Sequence, residues 1–339
     1  MFVYTAQPAR VVFGTGSLGL LAEEVERIGR SRVLVVAGER HRERVEGVLG
    51  ELAVGAFGGA VMHTPVEVTE QALAVLRDAG ADCVVAVGGG STTGLAKALA
   101  VRTGVDQVIV PTTYSGSEVT PVLGETADGV KTTRTSPDIL PETVIYDVDL
   151  TRSLPHDVTV TSAVNALAHA VEALYSPQAN PVVDLLALDA VRRLAAGLRG
   201  SGDREQLLQG AWLAGTCLGS VGMALHHKLC HTLGGSFDLP HAPTHTVVLP
   251  HAMAYNVAAA PEAMRRIAEA LDVEDAPRGV FDLVTTAGGP TSLRELGLAE
   301  ADLDRAAELA VGTPYPNPAE LTRDGLRALL GRAWAGERP

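Results

Sequence analysis

Residues 82–102 read DCVVAVGGGSTTGLAKALAVR, an apolar run, three glycines, a cluster of hydroxyl residues and then a small-residue helical pattern. The spacing predicts a buried strand over residues 82–87 and a helix over 92–102, joined by a turn too tight for side chains. A run apolar at every position, rather than at alternate ones, belongs in a sheet covered on both faces. The neighbouring sequence repeats this rhythm. Residues 9–13, 33–37 and 108–110 read as further strands, and 18–28, 42–52 and 67–79 as amphipathic helices. Alternation of this kind predicts an α/β domain with a mainly parallel sheet. From residue 117 to 146 the pattern changes to short extended pieces with an Asp128-Gly129 turn, which suggests a β-hairpin. Leu154-Pro155 marks a boundary. Beyond it residues 158–175, 181–198 and 204–218 carry helical periodicity, as do further segments up to Trp334. Two domains are expected: residues 1–155, α/β and dinucleotide-binding, and residues 156–339, all-α.

Composition narrows the function. A chain of 339 residues with 46% hydrophobic and 20% charged residues has the makeup of a soluble globular protein with two cores. Its formal net charge of −13 argues against a nucleic-acid or anionic membrane partner. Cys83, Cys217 and Cys230 are widely spaced and form no C-x-x-C pattern, so neither a disulfide framework nor a thiolate metal site is expected. Residues 1–10 do not have the pattern of a signal peptide, and the cytoplasm is the expected location.

Two glycine motifs compete to bind phosphate. Gly14-Thr-Gly16-Ser-Leu-Gly19 matches G-x-G-x-x-G, follows a strand and opens a helix, with Glu39 about twenty residues on as a candidate ribose acid. Gly88-Gly89-Gly90-Ser91 has the same setting, and Pro111-Thr112-Thr113-Tyr114-Ser115-Gly116-Ser117-Glu118 offers a second hydroxyl-rich loop after the next strand. Spacing alone barely separates them.

The second half concentrates imidazoles. Residues 222–251, GMALHHKLCHTLGGSFDLPHAPTHTVVLPH, hold His226, His227, His231, His241, His245 and His251, six of the chain's ten histidines. Met223, Leu225, Leu229 and Leu233 suggest a helix ended by Gly234-Gly235, with His227 and His231 on one face and His241 folded back toward them. A second helix, capped by Thr159 or Thr161, carries Asn165 and His169 four apart on an apolar background. Polar residues converging from two helices have the form of a metal or proton-transfer pocket.

GGGS before a helix, PTT with GSE, a polar-x-x-x-His helix and His-x-x-x-His-x9-His with a later LPH resemble the iron-containing alcohol dehydrogenase superfamily, which also includes glycerol dehydrogenase and dehydroquinate synthase. The fuller strings GGGSTTGLAKA, PTTYSGSEVTPVLGETADGVKTT, NALAHAVEALY and HHKLCHTLGGSFDLPHAPTHTVVLPHA most resemble its maleylacetate reductase branch. The resemblance covers nearly the whole chain. It implies a dehydroquinate synthase-like fold with a cleft between the two domains. It also implies NADH or NADPH as cofactor, with the pyrophosphate on Gly88, Gly89, Gly90 and Ser91. Thr92, Thr112, Thr113, Tyr114 and Ser117 join that site, and Gly38, Glu39 and Arg40 lie by the ribose. The first glycine motif becomes a decoy.

Metal-dependent relatives are similar to this chain at His169, His227 and His241, their ligand positions, but have an acid where it has Asn165. An amide is a poorer ligand for a divalent cation than a carboxylate and leaves its charge unbalanced, so no metal is expected; His169, His227 and His241 are the alternative ligand set. The relatives' Asp after GGGS is Gly94 here, and Gly38 replaces an acid that would repel a 2′-phosphate. The resemblance implies NAD(P)H-dependent reduction of maleylacetate, a dicarboxylate, to 3-oxoadipate in aromatic-compound breakdown, by a homodimer. Hydride adds to the alkene carbon distal to the ketone, and protonated His169, His231 or His241 takes the metal's place beside the enolate oxygen. His227, His245, Asn165, Lys228 and Tyr315 are candidate substrate-binding residues. A metal-dependent alcohol dehydrogenase is the alternative within the class, and a catalytically silent nucleotide-binding protein the alternative outside it.

Overall fold

A computed structural model describes residues 2–6, 9–127, 130–200 and 202–339. The chain divides into two compact units, residues 6–154 and residues 155–339, the second joined by residues 2–5.

In the first unit, strand β1 (Arg10–Phe13) leads to helix α1 (Leu21–Arg27), β2 (Val33–Ala37) to α2 (Glu39–Leu49), β3 (Ala53–Phe57) to α3 (Val66–Ala79), and β4 (Cys83–Gly88) to α4 (Gly90–Thr103). Next come β5 (Asp106–Pro111), a two-stranded antiparallel ribbon of β6 (Val122–Ala127) and β7 (Val130–Thr135), then β8 (Thr143–Tyr146) and the single turn α5 (Val148–Thr151). The expected Asp128-Gly129 turn lies outside the described residues. Six strands form one parallel sheet in the order β1-β8-β5-β4-β2-β3. Val33, Val35 and Ala37 enter a core that includes Leu21, Val25 and Val45 of α1 and α2. Leu34 and Val36 enter the opposite core with Leu73 and Leu76 of α3 and Leu95 and Leu99 of α4. Both faces are covered, so apolar residues occur at every strand position.

Two strands escape the sequence pattern. β3 reads AVGAF, with a glycine whose added Cβ would sit 3.2 Å from Ala79 Cβ, so α3 packs close where a larger side chain would normally mark a strand. β8 was expected among the hairpin pieces, yet it pairs in parallel with both β1 and β5.

The second unit is helical: α6 (His156–Ala173), α7 (Pro181–Leu198), α8 (Arg204–Ser220), α9 (Leu225–Phe237), α10 (His241–Asn256), α11 (Pro261–Leu271), α12 (Ala276–Thr286), α13 (Leu303–Val311) and α14 (Arg323–Ala335). Among the described residues no single helix is long and apolar enough to cross a membrane. Two expectations about helix ends need correcting. Gly234 and Gly235 lie inside α9, which ends at Asp238 in the left-handed conformation (φ 54°). Two interior glycines cost about 1 kcal/mol each relative to alanine, but burial of Leu225, Leu229 and Leu233 on the same helix outweighs that. Helix α6 begins before Thr159 and Thr161; their hydroxyls donate back to the carbonyls of Pro155 and Asp157 and cap nothing.

The first glycine motif is already satisfied within the fold. Asp147 Oδ1 accepts the Gly16 N–H at 2.9 Å and Asp147 Oδ2 the Leu18 N–H at 3.1 Å, so a buried carboxylate stands where a phosphate would. Oδ1 also accepts the Asp149 N–H, capping α5. Removing this carboxylate orphans three amides. Asp147→Ala should therefore lower stability by about 3 kcal/mol, read as a shift in the urea midpoint at unchanged slope; a shift below about 1 kcal/mol would mean that water replaces the carboxylate without loss.

Candidate active site

The second glycine motif has the opposite character. Gly89 is the N-cap of α4 and supplies no side-chain acceptor, leaving first-turn amides pointing from a helix of 14 residues. The motif also sits at the sheet's switch point. From β2 the chain moves outward to β3, then returns past β2 to β4 and continues to β5 on the other side, so the order reverses between β2 and β4. Ligands of open α/β sheets bind at the strand ends there. Gly88 ends β4, and Gly38, Glu39 and Arg40 follow β2, all exposed or half-buried.

Close packing dictates the small residues. A Cβ on Gly88 would fall 2.3 Å from Thr92 Oγ1, and one on Gly89 would fall 3.2 Å from Thr113 Cγ2. Thr112 donates its N–H to Gly88 O at 2.9 Å, binding the two loops together. Ser91, Thr92, Thr113 and Ser117 are half-buried and Thr112 is buried but for an edge. Tyr114, expected in the cofactor site, is wholly buried in the core. Gly94 also has a physical reason: a Cβ there would lie 2.4 Å from Thr64 Oγ1, so the Asp of metal-dependent relatives has no room. Arg40 donates to Ser153 O at 3.2 Å.

Lys97, within GGGSTTGLAKA, shows no sign of its role in the sequence. It is fully buried on α4, and its ammonium donates to Ser117 O, Thr120 O and Oγ1, and Val122 O at 2.5–3.1 Å. Glu118 beside it accepts from Tyr146 Oη at 2.9 Å and Ser115 Oγ at 3.0 Å. Together they hold the hydroxyl-rich loop rigid. Burial pushes Lys97 down to about 7, against the attraction of Glu118.

In the second unit the organising group is Glu172, also missed. Asn165, His169 and Glu172 share one face of α6, four and three residues apart, and all are buried. Helix α9 starts at Ala224 with no cap of its own. Glu172 supplies one from α6, accepting the N–H groups of Ala224 at 2.8 Å, His226 at 2.7 Å and His227 at 3.4 Å. Its Oε2 also meets His227 Nδ1 at 2.7 Å, which aims Nε2 away from the carboxylate; that Nε2 is buried and has no protein partner.

The imidazoles assemble around His227. Its ring stacks on His169 at 5.1 Å, meets His226 and His245 edge-on at 5.1 Å each, and faces His231 at 6.3 Å. His241 opens α10 and lies 4.3 Å from His245 by ring centroids. His231 is exposed and His241 half-buried, whereas His245 is fully enclosed and contacts His226 Nε2 through Nδ1 at 3.0 Å. That burial removes His245 from the surface a carboxylate substrate would meet. Tyr315 packs on the helical core with its hydroxyl buried and without a protein partner, and Lys228 lies 5.8 Å over its ring.

Burial first, then the charges of His227, His241 and His231, pushes His169 well below the ordinary histidine range. The imidazolium role expected of His169 therefore requires a group that raises its pKa, as a nearby anion does. Asn165 supplies an amide in place of an acid, and Glu172 is committed to α9. Among the described residues, three candidate ligand atoms come within 4.8 Å of one another only at His226, Cys230 and His245.

The buried histidines also set a pH dependence. Burial lowers His169, His226 and His245, and pushes His251 down to about 4. A histidine depressed in the fold takes up its proton on unfolding, so stability is complete above the unfolded value near 6.5 and falls as pH drops toward the folded value. His251 alone should cost about 2 kcal/mol by pH 5. Urea titrations between pH 8 and pH 5 should show this decline, flattened by about that amount in His251→Asn; equal slopes in the two proteins would contradict it.

The sequence and the fold match known proteins. The iron-containing alcohol dehydrogenase pattern matches residues 8–148, and the C-terminal pattern of the same family matches residues 159–334. The chain is 63% identical to maleylacetate reductase 1 of Rhodococcus opacus over 100% of its length and 98% of the relative's. It is 52% identical to maleylacetate reductase of a Rhizobium species over 100% and 99%. Among solved structures, maleylacetate reductase from Rhizobium superposes with a TM-score of 0.95 at 51% identity, covering 100% of this chain and 99% of that one. A 1,3-propanediol oxidoreductase superposes with a TM-score of 0.92 at 29% identity, covering 98% and 100%. The chain belongs to the iron-containing alcohol dehydrogenase family and, within it, to the maleylacetate reductases.

Proposed function

We infer that this protein reduces the carbon–carbon double bond of maleylacetate with NADH or NADPH, giving 3-oxoadipate, and that it does so without a metal. The observation that carries the reading is the histidine cluster built around Glu172 and His227, in a chain 46–63% identical to maleylacetate reductases over its full length.

A reduced nicotinamide supplies hydride to the alkene carbon distal to the ketone. The free first-turn amides of α4 and the threonines of the neighbouring loop hold its phosphates. In the helical unit the work is electrostatic. Negative charge develops on the ketone oxygen, and the adjacent carbon then needs a proton. His231 and His241 are the open imidazoles of the cluster and supply positive hydrogen-bond donors at that oxygen. The substrate's carboxylates raise the histidine pKa values around them, which draws His169 toward its charged form only when the anion is present. Asn165 keeps the site free of a competing acid, because a carboxylate there would repel the dianion.

At the ribose, Glu39 favours a free 2′-hydroxyl, and Arg40 favours a 2′-phosphate although part of its guanidinium is held by Ser153 O. Both cofactors should therefore work within roughly tenfold in kcat/KM, about 1.4 kcal/mol. Steady-state assays with each cofactor and maleylacetate, beside propanal, test the reaction. Faster turnover of the aldehyde would exclude it.

Metal independence has its own test. Enzyme dialysed against a strong chelator should keep its activity, and Asn165→Asp should bind zinc more tightly while turning over maleylacetate more slowly. His231→Ala or His241→Ala should cut kcat while leaving nicotinamide affinity close to that of the wild type. Activity that disappears on chelation and returns only with a stoichiometric divalent metal would overturn this reading.

A further inference from the structure

Cys230 and His226 lie one turn apart on α9, and His245 meets them from α10. Cys230 Sγ is 3.7 Å from His226 Nε2, which is 3.0 Å from His245 Nδ1. All three side chains are enclosed, with Cys230 2% exposed and both histidines 0%. We propose that His226, Cys230 and His245 form a binding site for a soft divalent cation of the zinc class, separate from the set His169, His227 and His241.

The distances carry the proposal. A tetrahedral zinc ion bound at about 2.05 Å by nitrogen and 2.3 Å by sulfur holds its nitrogens about 3.3 Å apart and a nitrogen and sulfur about 3.6 Å apart. The observed 3.0 Å and 3.7 Å differ from these by a few tenths of an ångström, within the reach of small side-chain rotations. The ion would take the place of the proton shared by the two imidazoles. Three protein ligands leave a fourth position for water or a small anion.

Donor type and charge agree with this. One thiolate and two imidazoles select zinc, cobalt or copper over magnesium or calcium, which take oxygen ligands. A buried dication needs compensation, and the Cys230 thiolate supplies one negative charge. Glu172, which caps His226 N at 2.7 Å, supplies the other. The enclosed sulfur is poorly placed to react as a nucleophile or redox sensor, and as a ligand it gives up its proton when the cation binds. The turnover proposed above does not depend on this ion, and the two readings fail separately.

Because the site is enclosed, the cation enters during folding. Protein expressed in zinc-depleted medium with cobalt should carry stoichiometric cobalt and show a thiolate-to-cobalt charge-transfer band. Cys230→Ser should abolish that band, whereas His169→Ala should leave it. X-ray absorption on the wild-type protein should find one sulfur and two imidazole ligands, a result that does not depend on any variant folding. Protein without bound cobalt, cobalt with nitrogen and oxygen ligands only, a band that survives Cys230→Ser, or a band lost in a folded His169→Ala protein would each overturn the proposal.

Discussion

One buried carboxylate sets the geometry of the histidine cluster in the helical unit. Helix α9 begins without a capping side chain, and its first amides are enclosed where water cannot serve them. Left unpaired, each would cost about 1–3 kcal/mol. Glu172 meets this need from α6 and orients His227 with the same oxygen that accepts from Ala224. Helix start, helix pairing and imidazole orientation therefore depend on one group. Substituting it would disturb all three, and the position tolerates neither a shorter acid nor an apolar residue without leaving amides orphaned.

The same logic separates the two glycine turns of the α/β unit. Each follows a strand and precedes a helical turn, yet one has its amides filled by Asp147 and the other has no internal acceptor. The second turn is a helix start left without a side-chain cap, which suits it to the phosphate role proposed above. Lys97 and Glu118 complete the arrangement from below, since the ammonium gathers three carbonyls of the loop and the carboxylate anchors Ser115 and Tyr146. The loop is then anchored without the first-turn amides of α4 being consumed.

Crowding gives the histidine cluster its division of labour. Burial first, and then the charges of imidazoles about 5 Å away, lowers His169, His226 and His245. His231 is exposed and His241 half-buried. On the reading proposed above, an anionic substrate raises the pKa values of the imidazoles around it and so reverses that balance locally.

The sequence by itself determined the two-unit architecture, the parallel sheet and the helical second half, because apolar runs near glycines and 3.6-residue periodicity are local properties of the chain. It also grouped candidate polar residues, since Asn165, His169, His227 and His231 are paired by helical spacing alone. Glu172 was equally legible, three residues beyond His169 on the same apolar helix, once its isolation is noticed. Other features required the tertiary structure. No local pattern reveals that Asp147, 131 residues away from Gly16, fills the first glycine turn, or that Thr64 occupies the space above Gly94. The enclosure of Tyr114 and His245, and the meeting of Cys230 with His245, likewise depend on which helices pack together. Burial and long-range hydrogen bonding arise from contacts between distant segments, so a motif can name the candidate groups while only the fold decides which remain available to a ligand.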